Sequence, residues 1–385
     1  MIHKSSNQLR RTYGFDEIAL CPGIQTVDPV ACDIGISLGD HHLPTPLIAS
    51  AMDSVVSPSS AVTLAKEGVL GVLNLQGLWT RYENASQVLQ EIIEAPSDQF
   101  VPVMQRLYSE PVKVDLVGKR ITEMRSAGIK VAVSSVPQEA ERLEPVIAEA
   151  GADLLFVQST VTSTRHISSS GGFLDIAKLC TKTKLTVIVG NCVSYQVALD
   201  LMESGVAGIL VGIGPGAACT SRGVLGVGIP MATAILDCAE AREAYRTKTG
   251  REVQVIADGG LVTSGDICKA IACGADAVMM GSPFARGAES PGKGFHWGMA
   301  TPSPVLPRGT RIKVGTVGTY REIVNGPARL DNGFHNFTGA LKTSMGTLGA
   351  QTIKEMQEIE VIIAPSILTE GKVYQQAQKL GMGSH

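Results

Sequence analysis

"AGILVGIGPGAACTSRGVLGVGIP", residues 207–230, joins a short apolar run to a loop of glycines and small residues that carries one thiol, Cys219. Glycine lets backbone approach a ligand closely. Two readings of this stretch stay open when it is taken alone: a phosphate cradle, or a mobile loop that presents a nucleophile. Its place in the order of strands decides the fold.

Outward from it, short and nearly continuous apolar runs recur: "PLIASAMD" (46–53), "VLGVLN" (69–74), "KVAVSSV" (130–136), "ADLLFVQS" (152–159), "LTVIVGN" (185–191), "AGILVG" (207–212), "VQVIADGG" (253–260) and "AVMMGS" (277–282). Runs of this kind suit parallel strands buried on both faces. Amphipathic stretches ending on glycine separate them, among them "QEAERLEPVIAEAG" and "YQVALDLMESG", as helices with glycine C-caps do. Eight such units predict an α/β fold of the (β/α)8 TIM-barrel type. A doubly wound open sheet is the alternative. The glycine loop follows the sixth strand, not the first, and no acidic residue closes a second strand some twenty residues later, as dinucleotide-binding sheets require.

Two regions break the alternation. Residues 75–129 read as a short insertion after the second strand, two helical patterns with "QFVPVMQRL" between them. Residues 290–340 are Gly/Pro-rich and read as a loop region after the eighth strand that covers the site, with a last helix, "GALKTSMGTLGAQTIKEMQ", beyond it. The chain is expected to form a single catalytic domain over 1–385.

Composition limits the function. The 385 residues are 44% hydrophobic with net charge −3. That charge argues against a nucleic-acid surface, and there is no apolar run of bilayer length. The eight cysteines show no paired spacing and read as reduced thiols of a cytoplasmic protein. His41 and His42 have no ligand partners at metal spacing and read as a surface turn.

In a barrel the strand C-termini form one rim, where active sites sit and where the last two loops commonly hold phosphate. Those loops offer Gly259, Gly260, Gly281 and Ser282 to an anion, while Asp258 suits the paired hydroxyls of a ribose. Cys219 stands apart from the other cysteines: glycines precede it, and Thr220, Ser221 and Arg222 follow. A polar loop with a cation nearby suits an exposed nucleophile.

Taken together, "ASAMDSV" (49–55), "VGIGPGAACTSRGVLGVGIP", "IADGG", "VMMGS", "GMA" and "LKTSMGTLGAQTI" (341–353) resemble, in that order, the IMP dehydrogenase/GMP reductase family. The chain looks like the dehydrogenase-related branch without the tandem nucleotide-sensing CBS domains. The resemblance implies an NAD-dependent oxidation of inosine monophosphate (IMP) to xanthosine monophosphate, in guanine nucleotide biosynthesis. Cys219 would form a covalent thioimidate, with Ser221 and Arg308 serving its hydrolysis. It implies substrate contacts at Ser50, Met52, Asp258, Gly260, Gly281, Ser282, Gly298 and Met299. It places the nicotinamide end of NAD at Ser159, Thr160, Gly212 and Gly214. Potassium would lie at the carbonyls of Gly214, Gly216 and Cys219, and the assembly would be a homotetramer or octamer. Gln158 takes a position where dehydrogenases carry Asp against the cofactor ribose. A GMP reductase consuming NADPH, and a purine-nucleotide-binding protein with reduced catalysis, are the alternatives.

Overall fold

A computed structural model describes residues 9–167, 173–298, 310–365 and 371–381. Eight parallel strands close into a barrel: β1 (Leu47–Ala49), β2 (Leu70–Asn74), β3 (Ala132–Ser135), β4 (Leu154–Gln158), β5 (Thr186–Cys192), β6 (Gly208–Val211), β7 (Gln254–Asp258) and β8 (Ala277–Met280). β8 returns to β1 with Met280 opposite Ala49. Each falls within one of the eight apolar runs, save that β5 reaches one residue further, to Cys192. Strands β2, β3, β4, β6 and β8 are buried along their whole length, which is why their sequences do not alternate.

Local signals start and stop the helices. α1 (Pro58–Lys66) begins with Ser57 accepting the Ser60 N–H and a proline in its first turn, where the missing N–H has no helical partner to lose. The insertion after β2 holds α2 (Ala85–Glu94), α3 (Phe100–Tyr108) and α4 (Val114–Ser126). "QFVPVMQRL" is therefore a helix in its own right. Pro102 sits in its first turn, and Phe100, Met104, Leu107 and Tyr108 form its buried stripe. The last sequence-predicted helix is two, Phe337–Leu348 and Ile353–Met356, because Gly349 ends the first with φ +83°.

Strands Ile36–Leu38 and His41–Leu43 form an antiparallel hairpin. The turn is Gly39-Asp40, so the two histidines open a strand and do not form the turn expected of them. Leu38 is fully buried, and a Cβ on Gly208 would lie 3.3 Å from its Cδ1. The hairpin thus covers the N-terminal mouth of the barrel, leaving the C-terminal rim for chemistry. Each aliphatic side chain buried here contributes about 1.5–3 kcal/mol over exposure.

After β8 a second antiparallel pair, Phe295–His296 with Ile312–Lys313, forms the stem of the Gly/Pro-rich region. Met299 and Arg308 lie outside the described residues.

Candidate active site

The strand ends bring distant polar side chains together. At the tip of β7, Asp258 accepts a hydrogen bond from Asn191 Nδ2 (2.7 Å) and another from Gln158 Nε2 (2.9 Å). Both bonds end on Oδ2, leaving Oδ1 for a donor outside this cluster. Burial raises the Asp258 carboxyl to about 6, and the two amides restrain the rise. Gln158 therefore supports Asp258 and does not stand free at a cofactor edge. Asn191 also donates to the Gly212 carbonyl at 2.9 Å, tying β5 to the start of the glycine loop.

That loop packs on the next one. A Cβ on Gly212, whose φ is +147°, would lie 2.2 Å from the Asp258 carbonyl oxygen. One on Gly260 would lie 2.8 Å from Pro215 Cβ. No larger residue fits either place without moving backbone. Cys219 closes a turn with its N–H on the Gly216 carbonyl (2.9 Å), and its Sγ lies 3.3 Å from the hydroxyl of buried Ser221. Cys219 is the one exposed thiol of the eight cysteines; five are buried and two are half-buried. The expectation that Arg222 serves the thiol gives way to another role. Its guanidinium reaches the carbonyls of Ile213 (3.4 Å) and Ile229 (2.7 Å) and so clasps the two ends of the loop together.

Loops seven and eight form the third part. The Gly259 N–H, expected to face an anion, is spent on the Met279 carbonyl at 3.1 Å. Gly260, Gly281 and Ser282 stand beside it, just past the ends of β7 and β8. Met52 and Ser50 lie against Gly281, where a Cβ would sit 2.8 Å from Met52 Sδ, so β1 and β8 bring these predicted contacts together. Ser282 Oγ lies 3.0 Å from His296 Nε2. His296 is buried, its Nδ1 has no partner among the described residues, and burial together with the Arg286 charge lowers it to about 4. A neutral ring donating from Nε2 leaves the Ser282 O–H free for an acceptor. Arg286 itself stacks 3.9 Å above Phe334.

Residues 12–301 match the family model described as the IMP dehydrogenase / GMP reductase domain. The chain belongs to that family. It is 38% identical over 364 residues to an uncharacterized oxidoreductase of Mycobacterium leprae, covering 92% of this chain and 97% of that protein. Identity is 30% over 391 residues to an inosine-5′-monophosphate dehydrogenase of Borreliella burgdorferi, covering 89% and 91%. Among solved structures, an IMP dehydrogenase/GMP reductase-like protein from Corynebacterium glutamicum superposes with TM-score 0.88 at 33% identity, covering 94% of this chain and 97% of that one.

Set on the family's barrel, the remaining expected positions separate. The Ser159 hydroxyl donates to the Val161 carbonyl at 2.8 Å and pairs with Thr162, whereas the Thr160 hydroxyl has no partner among the described residues. Thr160 follows β4 and Gly212 follows β6, so both stand at the C-terminal rim. Around Cys219, the Gly216 carbonyl is half engaged, and no protein donor reaches those of Gly214 or Cys219 among the described residues. Neutral carbonyl oxygens of this kind suit an alkali cation. Gly298 is half-buried, next to buried Trp297.

The sequence places Asn191 at a strand end on the rim but does not reveal its partner Asp258, and it gives no role to His296, Tyr108 or Trp297. Each is a single polar or aromatic residue without a motif, and its partner arrives only when the barrel closes. The "GN" ending the β5 run was the one available signal for Asn191.

Proposed function

We propose that this member of the family is an NAD-dependent IMP dehydrogenase, and that the observation carrying the reading is the single exposed thiol, Cys219, on a rim that also presents the open oxygen of Asp258 and the Ser282 hydroxyl. Cys219 attacks C2 of the purine as the thiolate and forms a C–S bond. The C2 hydrogen leaves with its electron pair as hydride, for which NAD, when bound, would supply the acceptor. The thioimidate left on Cys219 accepts water at C2, the C–S bond breaks, and xanthosine monophosphate departs as the thiol is restored. Splitting one substitution into two steps through a soft nucleophile lowers both barriers.

The other residues hold geometry. Asp258 takes ribose hydroxyls on Oδ1. Gly260, Gly281 and Ser282 receive the 5′-phosphate, and Ser50, Met52 and Gly298 line the base. Thr160, Ser159 and Gly212 flank the nicotinamide. The carbonyls of Gly214, Gly216 and Cys219 would hold potassium, whose charge would steady the loop. Ser221, 3.3 Å from the thiol, serves the hydrolytic step with Arg308, and Met299 joins Gly298 along the base. The reading includes assembly as a homotetramer or octamer, which sedimentation would check.

The test is capture of the intermediate. Mixing protein, IMP, NAD and potassium, quenching in acid and digesting should yield a Cys219 peptide carrying a xanthosine monophosphate adduct. An unmodified Cys219 peptide in protein that is turning over would overturn the covalent mechanism.

A further inference from the structure

The stem of the Gly/Pro-rich region stands on the insertion after β2, at both legs. On the outgoing leg, Trp297 Nε1 donates to the Tyr108 hydroxyl of α3 at 2.9 Å, and that hydroxyl donates to Asp53 Oδ2 at 2.5 Å. On the returning leg, one guanidinium nitrogen of Arg311 donates to the carbonyls of Ile92 (2.6 Å) and Ile93 (3.1 Å). These are carbonyls of the last turn of α2, which have no helical partner and favour a cation. The same guanidinium lies 5.2 Å from the ring centre of Phe100, at the start of α3, and 5.3 Å from that of Phe295 on the opposite leg. The residue before Arg311 touches the catalytic loop: the Thr310 N–H donates to the Ala218 carbonyl at 3.2 Å. Ala218 is buried and precedes Cys219.

We propose that α2 and α3 are the platform that positions the nucleophile, with Arg311 as the positioning residue: seated on the end of α2 and between Phe100 and Phe295, it holds Thr310 against Ala218 and so fixes where the Cys219 thiol stands. The chain of contacts runs from the Ile92 and Ile93 carbonyls through Arg311 and Thr310 to Ala218. Each link is a backbone hydrogen bond, one guanidinium nitrogen shared by two carbonyls or a ring contact, so it transmits position well. Lysine can reach the carbonyls but has no planar group to set between the two rings, and it does not reproduce the seat. The insertion thereby acquires a catalytic purpose although none of its residues is among the substrate contacts proposed above.

The proposal rests on Cys219 being the reacting group, and its test has a readout that does not need turnover. Iodoacetamide labelling is followed peptide by peptide in wild type, Arg311→Met and Arg311→Lys, with the exposed Arg142→Gln, outside the insertion, as control. Arg311→Met is expected to change the Cys219 labelling rate about tenfold or more, the scale on which small displacements are felt in rates. Arg311→Lys should fall between, and Arg142→Gln should match wild type. With IMP and NAD, kcat should fall by a similar factor while the KM for IMP stays within about twofold, because phosphate and ribose contacts lie elsewhere. A Cys219 rate and kcat unchanged in a folded Arg311→Met overturn the proposal. If Arg311→Met unfolds, exposing all eight cysteines, a wild-type labelling rate in Arg311→Lys overturns it instead. If IMP oxidation is absent even in wild type, the proposed function fails, and the labelling rates still decide this proposal.

Discussion

Asn191 holds Asp258 by a 2.7 Å hydrogen bond across 67 residues of sequence. Because the Asn191 and Gln158 amides share Oδ2 of that carboxylate, one oxygen is fixed and the other is presented. Asp258→Asn replaces the presented charge with a neutral group. A hydrogen bond to a charged partner contributes about 1.5–3 kcal/mol, so the KM for IMP is expected to rise about ten- to hundredfold. Steady-state kinetics and calorimetric binding of IMP check this; an unchanged affinity would remove Asp258 from the ribose.

Asp53 predicts a pH effect on stability. It is 2% exposed, and burial raises its carboxyl to about 6 against the bonds from Tyr108 and Leu78 and the charge of Arg81. The folded state therefore keeps a proton that the unfolded chain releases near 4. Through the window from about 4 to about 6 this group makes stability fall as pH rises. Asp53→Asn removes the effect. Relative to wild type, it should gain up to about 3 kcal/mol between pH 4 and pH 7 in denaturant unfolding. Parallel pH profiles for the two proteins would contradict the assignment.

His296 is expected to stay neutral across the ordinary histidine range, since it is buried and held at about 4. Long-range ¹H–¹⁵N spectra should show no titration of its ring between about pH 5.5 and pH 8. His296→Leu should raise the KM for IMP by freeing the Ser282 hydroxyl from its 3.0 Å partner. A ring that titrates near its usual value would place it in water.

Gly212 is the steric hinge between loops six and seven. Alanine there meets the Asp258 carbonyl oxygen 2.2 Å from its Cβ and must adopt φ +147°. Gly212→Ala should cost about 2–4 kcal/mol in urea unfolding, with loss of activity. A wild-type midpoint would mean that the loop relaxes freely.

The barrel could be read because its eight strands are short, doubly buried apolar runs, and burial on both faces leaves a continuous hydrophobic signature. The exposure of Cys219 could be read because the glycines and hydroxyls around it differ from the apolar settings of Cys238, Cys268 and Cys273. What escaped were contacts created by closure. Gln158 finds Asp258 only when β4 and β7 share a rim, and Arg222 turns to the Ile213 and Ile229 carbonyls because the loop curls back on itself. The α3 helix was hidden by Pro102, which reads as a breaker but is harmless in a first turn. The histidine pair looked like a turn because Gly39-Asp40 adjoins it.

The measurement that bears most directly on the central claim is absorbance in the reduced-nicotinamide band after mixing the protein with IMP, NAD and potassium, beside a Cys219→Ala control. The account predicts a rise in wild type, none in the variant, and IMP binding retained in both. Silence with IMP and NAD, but consumption of NADPH with GMP, would contradict it and establish the reductase. Silence with both pairs would leave a nucleotide-binding protein.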